Sequence, residues 1–306
     1  MDSIIVLTVL LGIGAAYVYT KTNSGEKEKF VGSISGSKNL WFVIDDFGVN
    51  SRRWTDFGAR SSKELNLPFL QITKARCQIT QGADFKVNEL VGRQAVAQVI
   101  RENNGFVPDY HLDIPSFLWK AWSRAALLAY AGGLYLDGSS LCLGPSFATV
   151  IDGADNLLFG LDANPLSVGS YAGWALKKGY EPWLIYADTI ARFIERGPLS
   201  WDSAKARNQI ASWNTSILSK IKVLVEPEWS RLSDGTLIEL EDLFGRSLSD
   251  YYSPSKKSIY MPVDMERLKK AVSYNWFLRM SSEQILDPDS MFIWAQLASA
   301  SSAKFS

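Results

Sequence analysis

Histidine and cysteine are almost missing from this chain, which has one histidine, His111, and two cysteines, Cys77 and Cys142, in 306 residues. Two cysteines are too few for a disulfide framework or a cysteine-rich zinc site. A single histidine excludes a multi-histidine metal centre, and a His-based triad could only be built around His111. Both cysteines lie in apolar, strand-like stretches and read as buried free thiols. His111 sits in a proline-flanked segment, Pro108 to Pro115, with no motif around it, and reads as a structural residue. An excess of one charge is also missing. Lys and Arg total 32 and Asp and Glu total 32, so the basic excess of a general nucleic-acid binder is absent. Pairs such as Arg52-Arg53 and Lys256-Lys257 read as solvated loop charges. The chain has no Walker loop, no G-x-G-x-x-G and no G-x-S-x-G elbow, so nucleotide-triphosphatase and serine-hydrolase chemistry find no support. It has no internal repeat either.

Apolar residues, by contrast, make up 47% of the chain, enough for one large α/β domain with a real core. Aromatic content is high, with Trp 11, Tyr 12 and Phe 15. Such residues fill cores, and they also line sugar and nucleobase sites. Residues 3–20 carry no charge. At about 1.5 Å per residue they nearly match a bilayer core of about 30 Å. Tyr17 and Tyr19 fall where an interfacial belt would lie. A cleaved signal peptide would place basic residues before the run, where only Asp2 stands. The expectation is therefore a membrane anchor over residues 1–21 that contacts the lipid bilayer through 3–20. Lys21, Lys27 and Lys29 come after the run and no Lys or Arg precedes it, which predicts a single-pass protein with its globular part on the cytoplasmic side. Residues 22–37, rich in Ser, Gly and Lys, read as a flexible tether, and residues 38–306 as the globular domain.

Within that domain, short apolar runs alternate with amphipathic stretches, the pattern of an α/β fold around a mostly parallel sheet. Residues 39–45 read as a buried strand ending in Asp45 and Asp46. A helix is predicted over 54–65, a strand over 68–72 and a helix over 88–103. The strongest helix signal covers 117–131 and is stopped by Gly132-Gly133, since glycine readily takes the left-handed conformation at a helix end. Residues 134–136 then form a short strand, and Asp137-Gly138 turns the chain. Further strands are expected at 157–160 and 221–225, and helices at 170–178, 182–196 and 274–286. Residues 250–258 read as a polar loop.

This layout delivers Asp137 to the carboxyl end of a strand, where open α/β sheets bind ligands. A carboxylate there suits a hard divalent cation bridging pyrophosphate oxygens. Transfer of a sugar from a nucleotide diphosphate builds negative charge on the leaving group, which a metal or an arginine stabilises. Asp45 and Asp46, at the end of the first strand, are candidates for contact with a base or ribose, although a turn role is the commoner one for such residues.

The segment from Ala121 to Pro145 resembles the signature of the sugar-transferase family typified by yeast mannosyltransferases and capsular-polysaccharide transferases. That signature runs Ser-Asp, two residues, Arg, three residues, Leu, three residues, Gly-Gly, an apolar strand with Tyr, then Asp-x-Asp. Arg124, Leu128, Gly132, Gly133, Tyr135 and Asp137 match it at the family spacing, and Leu141-Cys-Leu-Gly-Pro145 resembles the next segment of the family. The match covers about 25 residues and is loose elsewhere. It implies a GT-A-like nucleotide-sugar-binding domain. Arg124, Gly132, Gly133, Tyr135 and Ser139 would contact the donor, along with Asp45 and Asp46, and Asp137 would act as catalytic and metal-binding residue.

Two family carboxylates are replaced. The upstream aspartate is Ala121, and the second aspartate of Asp-x-Asp is Ser139. A neutral hydroxyl is a weak ligand for Mn²⁺ or Mg²⁺, so metal affinity is expected to fall sharply. Backbone N–H groups of Gly138 and Ser139, or the cations of Arg124, Lys120 or Arg93, could take over the charge. Two functions are therefore expected as alternatives. One is a membrane-anchored glycosyltransferase moving a sugar to a hydroxyl of a glycan, lipid or protein. The other is a catalytically inactive relative of that fold, kept as a membrane-tethered scaffold or structural subunit, for example in a membrane-containing virus particle.

Overall fold

Alternation in the strand residues decides how the sheet is buried. The computed structural model of the chain describes residues 38–47, 68–160, 171–201, 203–225, 240–244 and 258–287, with Trp294 and Ala298. Strand β1 (Asn39–Ile44) sends Leu40, Phe42 and Ile44 to one face, and Val43 to the other. Strand β3 (Gly133–Asp137) does the same with Leu134 and Leu136 against Tyr135. In β5 (Asn156–Gly160), Leu157 and Phe159 oppose Leu158. A period of two thus feeds two separate cores, one on each side of the sheet.

Six strands form this sheet in the order β2-β1-β3-β6-β5-β7, where β2 is Lys86–Val91, β6 is Ala172–Ala175 and β7 is Lys222–Val225. β2, β1 and β3 are parallel neighbours. β6 runs antiparallel to both β3 and β5, and β5 is parallel to β7. The molecule is therefore α/β with a mixed, mostly parallel sheet. Leu141–Cys142 (β4) and Tyr260–Met261 (β8) make a separate two-stranded ladder.

Helix α1 (Phe69–Gln81) covers one face. The other is covered by α2 (Arg93–Glu102), α3 (Ser116–Tyr130) and α5 (Glu181–Glu195), whereas the short α4 (Ala148–Ile151) packs into the first core through Ile151. Helix α6 (Ser203–Leu218) packs on α3 and α5. Shorter helices lie at Leu240–Phe244 (α7), Met265–Lys270 (α8) and Ser282–Ile285 (α9). Trp119, Trp122, Trp174, Trp183 and Trp294 are fully buried. Each removes roughly 200 Å² from water, about 5 kcal/mol before ordering costs. The tryptophan content of the described residues is thus mainly core packing.

Several expectations are corrected. Residues 68–72 start helix α1 and are not a strand. Phe69, Ile72, Thr73, Arg76 and Cys77 recur at helical spacing on its buried side, and the apolar run was too short for periodicity to separate the two states. Cys77 is accordingly on a helix. The helix expected over 88–103 splits into edge strand β2 and helix α2 at Gly92, whose φ of 87° breaks the helix. Residues 172–175 form strand β6 where a helix was expected. Gly173 has no Cβ there because Leu128 Cδ1 of α3 would stand 2.9 Å from it. Residues 274–286 hold a 3-10 turn, Asn275–Arg279, and α9 with a Ser281 capping box, not one helix. Among the described residues no helix is long and apolar enough to cross a membrane. The runs at 3–20, 22–37 and 54–65, and all but Ser258 of the loop at 250–258, lie outside the described residues.

Candidate functional site

The chain passes from β1 out to β2 and then back across to β3 on the other side of β1. That reversal opens a crevice at the carboxyl ends of β1 and β3, the usual ligand position in open α/β sheets. Asp45 comes directly after β1 and Asp137 ends β3, with Val43 and Asp137 paired across the two strands. Asp137 shares the parity of Tyr135, so its carboxylate emerges on the face covered by α3.

On that face it meets Lys120, whose Nζ lies 2.7 Å from Asp137 Oδ2. The Asp137 side chain is 3% exposed and that of Lys120 26%. Burial works against the Lys120 charge, but the Asp137 carboxylate, joined by Asp45 and Asp264, outweighs it and holds the ammonium above the ordinary lysine range. Asp137 Oδ1 accepts from the Ser139 backbone N–H (2.9 Å) and from Ser139 Oγ (2.6 Å). The same hydroxyl lies 2.9 Å from the carbonyl of Val263. The Asp137 carbonyl accepts from Ser140 N–H and closes the turn. Both carboxylate oxygens are thus engaged, one by the turn itself and one by Lys120.

Arg93, the other basic candidate in the crevice, belongs to Asp45. Its Nε and Nη2 reach the two Asp45 oxygens at 3.0 and 3.2 Å, and its Nη1 donates to the carbonyls of Leu112 and Ile114. The guanidinium lies over Phe47 (4.3 Å) and Trp119 (5.4 Å). Asp46 is exposed beside Gly92.

A gap of 30 Å³ over Asp137 and Ser139 is bounded by Asp45, Lys120, Met265 and Glu266. Next to it opens a cleft of 710 Å³. One of its walls is a stripe of α3, with Ser116, Phe117, Lys120, Ala121 and Arg124 at helical spacing. Lys120 and Ser116 line both spaces. Arg207 of α6 crosses the rim, its guanidinium 4.3 Å from the Phe117 ring. The opposite wall carries Asp264, Arg267 and Lys270 of the α8 segment and Glu241 of α7. Arg267 pairs with Glu241 at 2.7 Å, and Asp264 caps α8. Burial pushes the Tyr171 hydroxyl, also on the cleft, well above the tyrosine range, and Asp264 and Asp137 add to the shift.

The residues chosen from sequence divide in place. Asp137, Ser139 and Asp45 meet in the crevice, and Arg124 lines the adjoining cleft. Arg124 also hydrogen-bonds the Tyr186 hydroxyl of α5, opposing the rise that burial imposes on it. Tyr135 is fully buried against α3, its hydroxyl pushed up by burial and by Asp137. Gly132 and Gly133 stand at the amino end of β3, a full strand length of about 13 Å from the crevice. Their φ values of 66° and 92° mark a backbone role at the stop of α3. Sequence reading missed Phe117, Arg207 and the α8 wall. Lys120 was a candidate only for its charge; its spacing of four from Arg124 was the signal that both share a helix face.

Among the described residues no group of three or more His, Cys, Asp or Glu could hold a metal ion. Comparison with family models, with curated proteins and with solved structures finds no match to this chain.

Proposed function

We propose that this chain is a sugar-transferase-type protein that binds a nucleotide-sugar donor in the cleft beside Asp137 and moves the sugar to a hydroxyl of a glycan or glycoconjugate. The observation that carries the reading is the cleft itself. Its 710 Å³ suits a nucleotide-sized ligand, and it adjoins, through Ser116 and Lys120, the small gap at the switch point of the sheet where the one retained motif carboxylate stands. Lys120, Arg124 and Arg207 on one wall offer charge to a diphosphate, and Phe117 offers a flat face. A GT-A-like domain is the finer form of the α/β fold in this reading. Residues 3–20 tether it to the bilayer, with the domain on the cytoplasmic side.

Titration calorimetry of the full chain in detergent micelles, with UDP-sugars and GDP-sugars, tests the donor assignment. Saturable binding that Arg124→Ala weakens supports it, and no binding of either series refutes it. A second reading, a non-catalytic scaffold on the same fold, is favoured by the full engagement of both Asp137 oxygens. Release of free UDP or GDP from a bound donor separates the two. Turnover in the presence of glycan acceptors supports the transferase, and binding without turnover supports the scaffold.

A further inference from the structure

The family resemblance implies a divalent cation on Asp-x-Asp, and the residues present do not fit one. Asp137 Oδ1 already accepts two hydrogen bonds from Ser139. Ser139 Oγ is turned toward Asp137 and the Val263 carbonyl. A cation on Oδ2 would need to sit about 2.1 Å from it. Lys120 Nζ, a like charge, stands 2.7 Å from that same oxygen.

We propose that the Lys120 ammonium takes the place of the metal, so that the donor's diphosphate is held by a cation built into helix α3 and binding needs no divalent ion. The inference rests on the nucleotide-sugar reading above. Charge arithmetic supports it. Two carboxylates and a divalent cation sum to zero, and so do one carboxylate and one ammonium. Replacing the second aspartate by Ser139 removes one negative charge, and Lys120 supplies one positive charge where a metal would supply two. At the Asp137–Ser139 turn and its cation alone, a phosphate then meets the same net charge.

Geometry supports it as well. The Lys120 side chain is 26% exposed whereas that of Asp137 is 3% exposed, so the carboxylate is shielded and the ammonium keeps an open side. An ammonium has three N–H donors, and the ion pair with Asp137 takes at most one of them, which leaves two for phosphate oxygens. Lys120 borders both the gap over Asp137 and the large cleft, the position a bridging cation requires. Arg124, one helical turn on, lies on the same wall. Asp137 acts in this scheme as a positioning residue that fixes the Lys120 ammonium.

The test compares UDP and GDP binding to the full chain in micelles, in EDTA and in millimolar Mn²⁺. The wild-type affinities are expected to agree within about twofold in the two buffers, and Lys120→Met to weaken both by about tenfold or more. Lys120→Met combined with Ser139→Asp is expected to regain binding only with Mn²⁺, and to show a bound Mn²⁺ signal by electron paramagnetic resonance that the wild type lacks. Wild-type binding that requires Mn²⁺ overturns the inference and leaves the donor assignment standing, as does an unchanged affinity in a folded Lys120→Met protein. Absence of UDP and GDP binding in both buffers overturns the donor assignment itself. If Lys120→Met does not fold, the EDTA and Mn²⁺ comparison on the wild type decides the matter alone.

Discussion

Removing the Arg93 guanidinium is expected to cost more stability than any change at the exposed charges of this protein. Arg93 is 3% exposed and binds both Asp45 oxygens, the carbonyls of Leu112 and Ile114 and, at 3.4 Å, Ser116 Oγ. It therefore ties the end of β1 and the start of α2 to the loop that leads into α3. Arg93→Met leaves an Asp45 side chain that is 6% exposed without its counter-ion, and two carbonyls without their donor. Breaking a buried pair costs about 3–5 kcal/mol, and the carbonyls keep the total toward the upper end. For a domain of this size about 1 kcal/mol corresponds to 2–4 °C, so the unfolding midpoint is expected to fall by about 6–20 °C. Arg93→Lys keeps the charge and loses the planar fork, and is expected to recover less than half of that loss. Asp45→Asn keeps an acceptor and is expected to cost about 1–2 kcal/mol. Tryptophan fluorescence during thermal unfolding of the full chain reads all three variants. A midpoint for Arg93→Met within about 3 °C of the wild type would refute the reasoning, because that shift equals only about 1 kcal/mol.

The same packing sets two further outcomes. Gly138→Ala would place a Cβ 2.6 Å from Ile44 Cγ1 and 2.9 Å from the Val43 carbonyl oxygen, a backbone atom that cannot yield. It is expected to destabilise by about 1–3 kcal/mol, and by more than Gly153→Ala, whose Cβ would meet nothing within 4 Å and which carries only left-handed strain; equal midpoints for the two variants would contradict this. His111 is buried, with Nδ1 2.8 Å from the Pro108 carbonyl, and burial holds its pKa below the ordinary 6.5. The folded state thus disfavours its charged form. Its contribution to stability is complete above about pH 6.5 and is lost as the pH falls from there through the lowered folded pKa. The unfolding midpoint should fall between pH 7 and 5 with a shallower slope in His111→Gln, and parallel slopes would exclude His111 as the source.

Local signals in the chain carried much of this arrangement. The continuous apolar runs at 39–44, 134–136 and 157–160 are β1, β3 and β5, buried on both faces because successive strand residues enter opposite cores. The α3, Gly132-Gly133, β3 and Asp137 series was legible for the same reason, as each step is set by neighbours a few positions away. The failures also have local causes. The apolar residues at 68–72 and within 170–178 were too few to distinguish strand from helix, and 172–175 are a strand because β3 and β5 flank them on both sides. Cys77 and Cys142 are both buried, as their apolar sequence surroundings implied. That Cys77 and Cys142 come to be neighbours depended on docking α1 against β4.

Sequence alone determined that an aspartate would stand at the end of a short strand that follows an apolar helix, because helix stop, strand and turn are short-range choices. Tertiary structure decided what that aspartate does there. Lys120 meets Asp137 only because strand parity turns the carboxylate toward α3. Asp45 meets Arg93 across 48 positions, and Ser139 meets the Val263 carbonyl across 124. Pairings at such separations arise from strand order and helix docking, and no local pattern encodes them.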